Sequence, residues 1–379
     1  MPKLFFRLLF SIYLTGSVVH IADVLASNFT VEQEFYGELE DNQVITKYIF
    51  NGPQITFSAI NYGGIITSLE VPDKNGQLSD VVLGYDKLND YVHRNRYFGA
   101  IIGRFANRLE GSKATINGRT FELEKNRSPH HLHGGSIGFD KVVWRAKTEV
   151  TGDGASLILS YLSKDGEAGY PGNLYVTVTY TANIKNQLIV EYQASSDAPT
   201  IFNPTQHSYF NLSGNHAAKI DDHILMLNSK TYLPLTKESI PMGALASTEG
   251  TPFDFSSPTK LAEVFEKAPQ ELRDTKGLDH FWVSKESRGS LSKFAELSHP
   301  KSGRKLTVLS TEVGGQIYSG NYLNYSVIGK RNTPYQKRSG ICIETGQYPN
   351  SPNNGLPSVV INLGEEFYSK TVYAFSIEK

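Results

Sequence analysis

The chain has 379 residues, with 37 Lys+Arg against 38 Asp+Glu and a single cysteine, Cys342. A near-zero net charge with no long basic run excludes a protein that tracks a phosphate backbone, so no nucleic-acid partner is expected. One cysteine excludes an internal disulfide framework, and a chain of this length does not need one, because it buries most of the surface its unfolded form exposes.

In chain order, residues 1–26 come first. Lys3 and Arg7 give a short basic start, and the apolar run 8–19 falls short of the roughly 20 residues that span a bilayer. Gly16, Ser17 and His20 interrupt it, which argues against an uncleaved anchor, and Val24-Leu25-Ala26 offers small residues where a signal peptidase reads. This predicts a cleaved export signal, a mature chain of residues 27–379, a periplasmic or secreted location, and no stable membrane association after cleavage.

Beyond residue 27 strands dominate. Asn75-Gly76 and Asn117-Gly118 each lie between extended runs, and Asn-Gly supplies the two positive-φ positions of a tight hairpin. Between them "GRFANR", residues 103–108, sets Arg104, Asn107 and Arg108 beside a glycine and a small alanine. "SPHHLHGG" then places His130, His131 and His133 within four positions. In an extended chain His130 and His131 point to opposite sides and only His131 and His133 share one. With no Cys pair or HExxH nearby, a metal site is not expected. A structural loop, or one histidine that hydrogen-bonds a ligand, remains open at this point.

"LYVTVTY", residues 174–180, and "LIVEYQ", residues 188–193, alternate apolar and polar positions across a polar turn, which predicts an antiparallel pair of half-buried strands. "NPTQHSYFNLSG" carries His207 among turn-formers and aromatics. In "SSPTKLAEVFEKAPQ" Ser257 can cap, Pro258 suits a first turn, Leu261, Val264 and Phe265 share a face, and Pro269 discourages continuation, which predicts one short helix. "GLDHFW" sets Asp279 between a glycine and aromatics, "GGQIYSGN" carries Gln316 and Tyr318, and "IETGQYPNSPN" carries Glu344 at the end of an apolar run. No linker, repeat or low-complexity tract divides residues 27–379, so one large all-β domain is expected, a β-sandwich of antiparallel sheets with few short helices.

Each polar cluster alone reads as structural. Together they set Arg, Asn, His, Asp, Gln and Glu beside aromatic rings, an inventory suited to a sugar, whose hydroxyls need many paired partners when desolvated.

At this point the sequence resembles the aldose 1-epimerase, or galactose mutarotase, family. The resemblance runs through "GGIITSLEVPDKNG", "YFGAIIGRFANRL", "HLHGGSIGFDKVVW", "HSYFNLSG", "TPFDF", "GLDH", "ETGQYPNSPN" and "GEEFYSKTVYAF", in the family's order over nearly all of residues 27–379. It implies a large β-sandwich with an open cleft, no metal, no cofactor, and interconversion of the α and β anomers of free hexoses, typically galactose and glucose. By motif it implies that Asn107, Arg108, His133, Tyr209, Asp279 and Gln316 bind the monosaccharide, that His207 is the general acid, and that Glu344 is the general base. His130 and His131 fall outside the sugar's contacts.

Opening a hemiacetal removes a proton from the C1 hydroxyl and gives one to the ring oxygen, so a base and an acid must face different edges of one sugar. Glu is ready as a base at neutral pH, whereas His is only partly protonated, so carboxylates near His207, namely Asp279 and Glu344, are expected to raise its pKa. The sequence departs from the family pattern at Gly314, Gly346, Asn350 and Leu363; none removes a proton-transfer group, but they leave substrate preference and the shape of the cleft rim open, since the side chain missing at Gly346 would widen the pocket. Three rivals are weighed. A hexose 6-phosphate epimerase would want extra basic residues around the cleft, and an exported protein meets few sugar phosphates; a non-catalytic sugar-binding module would not need His207 and Glu344. A glycoside-cleaving enzyme would need two carboxylates flanking the bond.

Overall fold

A computed structural model describes residues 28–94, 96–357 and 359–378, so the expected signal at residues 1–26 lies outside the described residues. Three large antiparallel sheets organise the chain. Thr30–Glu38, Val44–Asn51, Thr56–Ile60, Ile66–Pro72 and Leu78–Asp80 form a five-stranded meander. A nine-stranded sheet runs, in spatial order, Arg145–Val150, Gly154–Ser163, Leu174–Asn183, Gln187–Ser196, Glu366–Ile377, Arg304–Ser310, Ser292–His299, Ile224–Leu227 and Thr259–Lys260. A six-stranded sheet runs Tyr209–Phe210, Ile341–Gly346, Gly314–Tyr318, Asp279–Ser284, Ser229–Leu233 and Ala246–Ser247. Among the described residues no helix is long and apolar enough to cross a membrane.

The alternation at residues 174–193 does what period 2 predicts. Leu174, Val176, Val178, Tyr180, Leu188, Val190 and Tyr192 are all buried, and Asn183 pairs with Gln187 across the turn. The two Asn-Gly turns differ. Asn117 and Gly118 both take positive φ, 48° and 79°, closing a two-residue hairpin between Ile116 and Arg119. At the other turn only Gly76 has positive φ, because the loop from Pro72 to Leu78 is longer and Asp73 organises it, its carboxylate accepting the N–H groups of Asn75 and Gln77.

The expected helix is present with a later start. Thr259–Lys260 adds a strand to the edge of the nine-stranded sheet, so Ser257 caps nothing and the helix spans Leu261–Lys267, with Leu261 and Val264 buried. Pro269 stops it, and a second short helix, Gln270–Asp274, follows at once. Sheet pairing outweighed the capping signal, since one ladder satisfies several backbone groups.

The six-stranded sheet positions the functional side chains. Its core face carries Leu278, His280, Trp282, Ile317, Ile341 and Ile343, each no more than 1% exposed. Its other face carries two cross-strand rows fixed by register. Asp279 opposes Tyr318, which opposes Cys342, which opposes Tyr209; Phe281 opposes Gln316, which opposes Glu344. Because successive side chains alternate, an apolar strand such as Ile341–Gly346 can bury its isoleucines in the core and still lift Glu344 into a cavity.

Candidate active site

That second face floors a cavity of about 260 Å³, at the small end of ligand pockets and suited to a monosaccharide. Glu344, Gln316, Asp279, Tyr318 and Tyr209 line it from the sheet, and Asn107, Arg108, His133 and His207 from the segments laid over it. All eight residues named from the family motifs therefore meet in one place.

The overlying segments are fixed by local bonds. Asn107 and His133 exchange contacts: the Asn107 N–H donates to His133 Nδ1 at 3.1 Å, and the His133 N–H donates to the Asn107 carbonyl at 3.1 Å. Both hold positive φ, 66° and 51°, so the turn that follows His131–Leu132 swings His133 away from the side His131 occupies. The three histidines consequently separate, contrary to the shared side expected for His131 and His133. His131 is buried between the Glu124 carbonyl and the Tyr170 hydroxyl, each 2.7 Å away, and His130 lies 3.1 Å from Glu238. Only His133 reaches the cavity. Since its Nδ1 accepts a backbone N–H, its proton sits on Nε2, and burial, with help from the His207 and Arg108 charges, holds its pKa far below the usual imidazole value. His133 is thus a neutral donor.

The two arginines of residues 103–108 also separate by role. Arg104 is 2% exposed and donates to the Ser163 side chain and carbonyl, Lys164 O, Pro171 O and Thr200, tying the segment to the nine-stranded sheet. Arg108 faces the cavity, 3.9 Å from Asp279. Asp279 accepts the Gln316 amide N–H at 2.7 Å, which leaves Gln316 Oε1 buried without a partner. An unpaired buried acceptor costs about 1–3 kcal/mol, so this atom is poised for a hydroxyl donor.

His207 and Glu344 stand 3.5 Å apart, Nε2 to Oε1, at 3% and 6% exposure. Burial lowers the His207 pKa to about 4, which overturns the expectation that nearby carboxylates raise it; the imidazole loses more hydration than its neighbours return. Burial also pushes Glu344 well above the usual carboxylate value; Asp279 adds to this and Arg108 opposes it. Burial thus favours a proton on the Glu344 carboxyl over one on the His207 imidazole. Cys342 Sγ lies 3.5 Å from His207 Nδ1, and its thiol is likewise kept protonated by burial. The donor atoms of His207, Cys342 and Glu344 lie within 4.8 Å of one another, yet a protonated thiol and acid are poor ligands for a cation.

Tyr209 lines the cavity differently from expectation. Its hydroxyl donates to the Arg96 carbonyl at 2.9 Å, so it presents its ring, stacked on His207 with centroids 5.1 Å apart. Tyr97 backs both imidazoles, 4.7 Å from His133 and 5.7 Å from His207. Sequence reasoning missed Arg96, Tyr97, Asn126, Arg127, Leu132 and Tyr322 in the lining. The only available signal was that "RNRY" directly precedes the apolar run 98–102.

The departures from the family pattern fall in different places. A Cβ at Gly314 would meet the Trp282 carbonyl at 2.1 Å. Asn350 accepts the Glu110 N–H outside the lining, and Leu363 is 70% exposed elsewhere. Gly346 borders a void of about 20 Å³ that shares Asn107, Gln316 and Glu344 with the main cavity.

Comparison with known proteins settles the family. A model described as aldose 1-epimerase matches residues 47–374. The chain belongs to the aldose 1-epimerase family. It is 39% identical over 354 residues to human galactose mutarotase, covering 92% of this chain and 99% of that one, and 38% identical over 353 residues to the mouse protein, with the same coverage. Against the aldose 1-epimerase of Escherichia coli K12 identity is 32% over 331 residues, covering 86% and 94%. Among solved structures, a galactose 1-epimerase from Lactobacillus acidophilus superposes with TM-score 0.82 at 25% identity, covering 93% of this chain and all of that one. An aldose epimerase homologue from C. elegans gives 0.77 at 27%, covering 86% and 97%. This aldose 1-epimerase is thus a sugar isomerase with the antiparallel architecture of its relatives.

Proposed function

We propose that this aldose 1-epimerase interconverts the α and β anomers of free hexoses such as D-galactose and D-glucose, with Glu344 as base and His207 as acid. The observation that carries the reading is the pair itself, a buried carboxyl and imidazole 3.5 Å apart at the wall of a sugar-sized cavity.

In the reactive complex Glu344 takes the proton of the C1 hydroxyl. The O–H electron pair becomes the carbonyl π bond, the bond from C1 to the ring oxygen breaks, and that oxygen takes the His207 proton. Rotation about C1–C2 presents the other carbonyl face, and the steps reverse. The pair begins with its single proton on His207 and ends with it on Glu344, so no outside proton is needed. Burial, which lowers His207 and raises Glu344, favours the second arrangement, that of the opened sugar. Sugar hydroxyls donating to Glu344 favour its carboxylate and restore the first. Asn107, Arg108, His133, Asp279 and the free Gln316 oxygen hold the distal hydroxyls, which leaves C1 able to turn.

Polarimetry on freshly dissolved α-D-galactose and α-D-glucose tests this, with residues 27–379 compared with a heat-denatured sample and with Glu344→Gln. Faster decay to the same final rotation, absent from both controls, is the expected result. No acceleration together with measurable sugar binding would replace catalysis with binding alone. Export remains part of the proposal on the strength of residues 1–26: the secreted product should begin at Ser27 by mass, and a mature product retaining Met1 would overturn it.

A further inference from the structure

The void beside the main cavity has no part in the proton transfers. It shares Asn107, Gln316 and Glu344 with the cavity, but none of His133, His207 or Tyr209 lines it. One glycine makes the room. Gly346 stands two residues beyond Glu344 in the strand Ile341–Gly346, so a side chain there would point to the same face. Its backbone does not call for glycine: φ is not positive, and a Cβ would come near one atom only, Asn203 Oδ1 at 3.0 Å, with the next at 3.8 Å. Gly314, its partner across the ladder, differs, because a Cβ there would meet both the Trp282 carbonyl at 2.1 Å and the Phe281 ring at 2.9 Å. Packing therefore requires Gly314, whereas Gly346 leaves open space within reach of a ligand.

The wall of that space has two characters. Ala106, Phe281 and Pro349 are buried and apolar. Beside them Asn107 Oδ1 accepts the Arg108 N–H at 2.7 Å, which leaves the Asn107 amide nitrogen to donate, and Gln316 Oε1 has no partner. Asn203 fixes the far side by donating to the Gln347 carbonyl at 3.1 Å and accepting its N–H at 2.9 Å. About 20 Å³ holds one group the size of a water or a methyl. A hydroxyl would leave the apolar wall unfilled, whereas a methyl carried on an amide suits both parts. The direction of the void places that group on the sugar. Glu344 marks the C1 hydroxyl and His207 the ring oxygen, so a space bordered by the base and not by the acid lies on the C2 side of C1. C1 of a reducing sugar bears only its hydroxyl, so a group that enters the void comes from C2.

We propose that this void is a subsite for the C2 substituent, and that the enzyme accepts 2-acetamido-2-deoxy aldoses, with the acetyl methyl seated beside Phe281 and Gly346 as the residue that admits it. The proposal rests on the mutarotase reading and extends its substrate class. A substituent seated there anchors C2 and leaves C1 free to turn about the C1–C2 bond.

The test compares D-galactose, N-acetyl-D-galactosamine and N-butanoyl-D-galactosamine, which share ring stereochemistry and differ only at C2, by enzyme-dependent mutarotation above each sugar's own spontaneous rate. On the parent chain kcat/KM for the acetyl sugar should equal or exceed that for galactose, because its methyl gains buried apolar contact. The butanoyl sugar, two carbons longer, should fall about tenfold or more below the acetyl one, since a packed wall resists overfilling. In Gly346→Ala, with folding checked by its thermal midpoint, the ratio of acetyl sugar to galactose should drop about tenfold, the effect of one methyl in a pocket of this kind. An acetyl sugar slower than galactose, a butanoyl sugar as good as the acetyl one, or an unchanged ratio in Gly346→Ala would overturn the proposal while leaving mutarotation standing. No acceleration of these sugars or of D-glucose by the parent chain would instead overturn the mutarotase reading beneath it.

Discussion

The two faces of the six-stranded sheet come from the same strands and differ in what they leave undone. Toward the core, Ile341, Ile343, Ile317 and Trp282 pack with 1% exposure or less, and the Trp282 indole N–H finds the Phe253 carbonyl. Toward the cavity, Gln316 keeps an unpartnered oxygen, Glu344 is held far from its ordinary ionisation, and Asp279 sits between an amide and a guanidinium. One face is closed by apolar packing, with the His280 ring 3.1 Å from Glu271. The other turns an unpartnered amide oxygen and a displaced carboxyl toward the cavity, and that difference marks the site more sharply than conformation does.

The largest break in the comparison is chemical. Glu344→Gln or His207→Asn should each lower kcat by about 10²-fold or more with a smaller effect on KM, read by polarimetry, while the thermal midpoint stays close to that of the parent. Near-normal rates in both would remove the pair from the mechanism. The core face should give the converse: Ile343→Ala should cost about 2–5 kcal/mol in a denaturant titration, with kcat of the remaining folded enzyme within a few-fold. A smaller effect sharpens the contrast further. Gln316→Leu removes the orphaned acceptor and one donor to Asp279, so KM should rise about tenfold with little loss of stability.

The pH dependence separates the faces as well. For the free enzyme kcat/KM requires the one-proton pair, so rate should fall on the acid side near the His207 value of about 4, and on the alkaline side only above the ordinary carboxylate range. An alkaline-side loss of rate that begins within the ordinary carboxylate range, below about 5, would contradict this. Stability responds to every histidine whose folded pKa is depressed, His207 included, and a group away from the cavity shows the sign. His223 is fully buried, accepts the Leu212 N–H through Nε2, and has its pKa lowered to about 3. Its folded value lies below its unfolded one, so its contribution is fully present above about pH 6.5. As pH falls from there toward 3 the unfolded state gains a proton that the folded state refuses, at up to about 1.4 kcal/mol per pH unit for this group. Denaturant midpoints at pH 7 and 5 measure it.

Much of this was legible from residues alone because the signals were periodic or chemical. The strands at 174–196 announced themselves by alternation, and the cluster of site residues by the rarity of so many polar groups beside aromatic rings. What was lost had a physical reason in each case. Ser257 and Pro258 carry a capping pattern, but the next two residues, Thr259 and Lys260, pair with a distant strand. Tyr209 was placed correctly, yet the Arg96 carbonyl that takes its hydroxyl lies on a segment 113 residues away, beyond any local pattern. The His207 pKa depended on how completely water is removed, which sequence does not state. The same holds for Gly314, whose neighbour across the sheet leaves no room for a Cβ.

The pleat that separates Ile343 from Glu344 also governs how such a chain can change in length. Insertion or deletion of a single residue within Ile341–Gly346 reverses parity, delivering a carboxyl to the apolar interior and an isoleucine to the sugar. The exposed connection from residue 285 to 291 is under no such constraint. Tolerated length variation should therefore gather in the connections, while the strands accept substitution but keep their count.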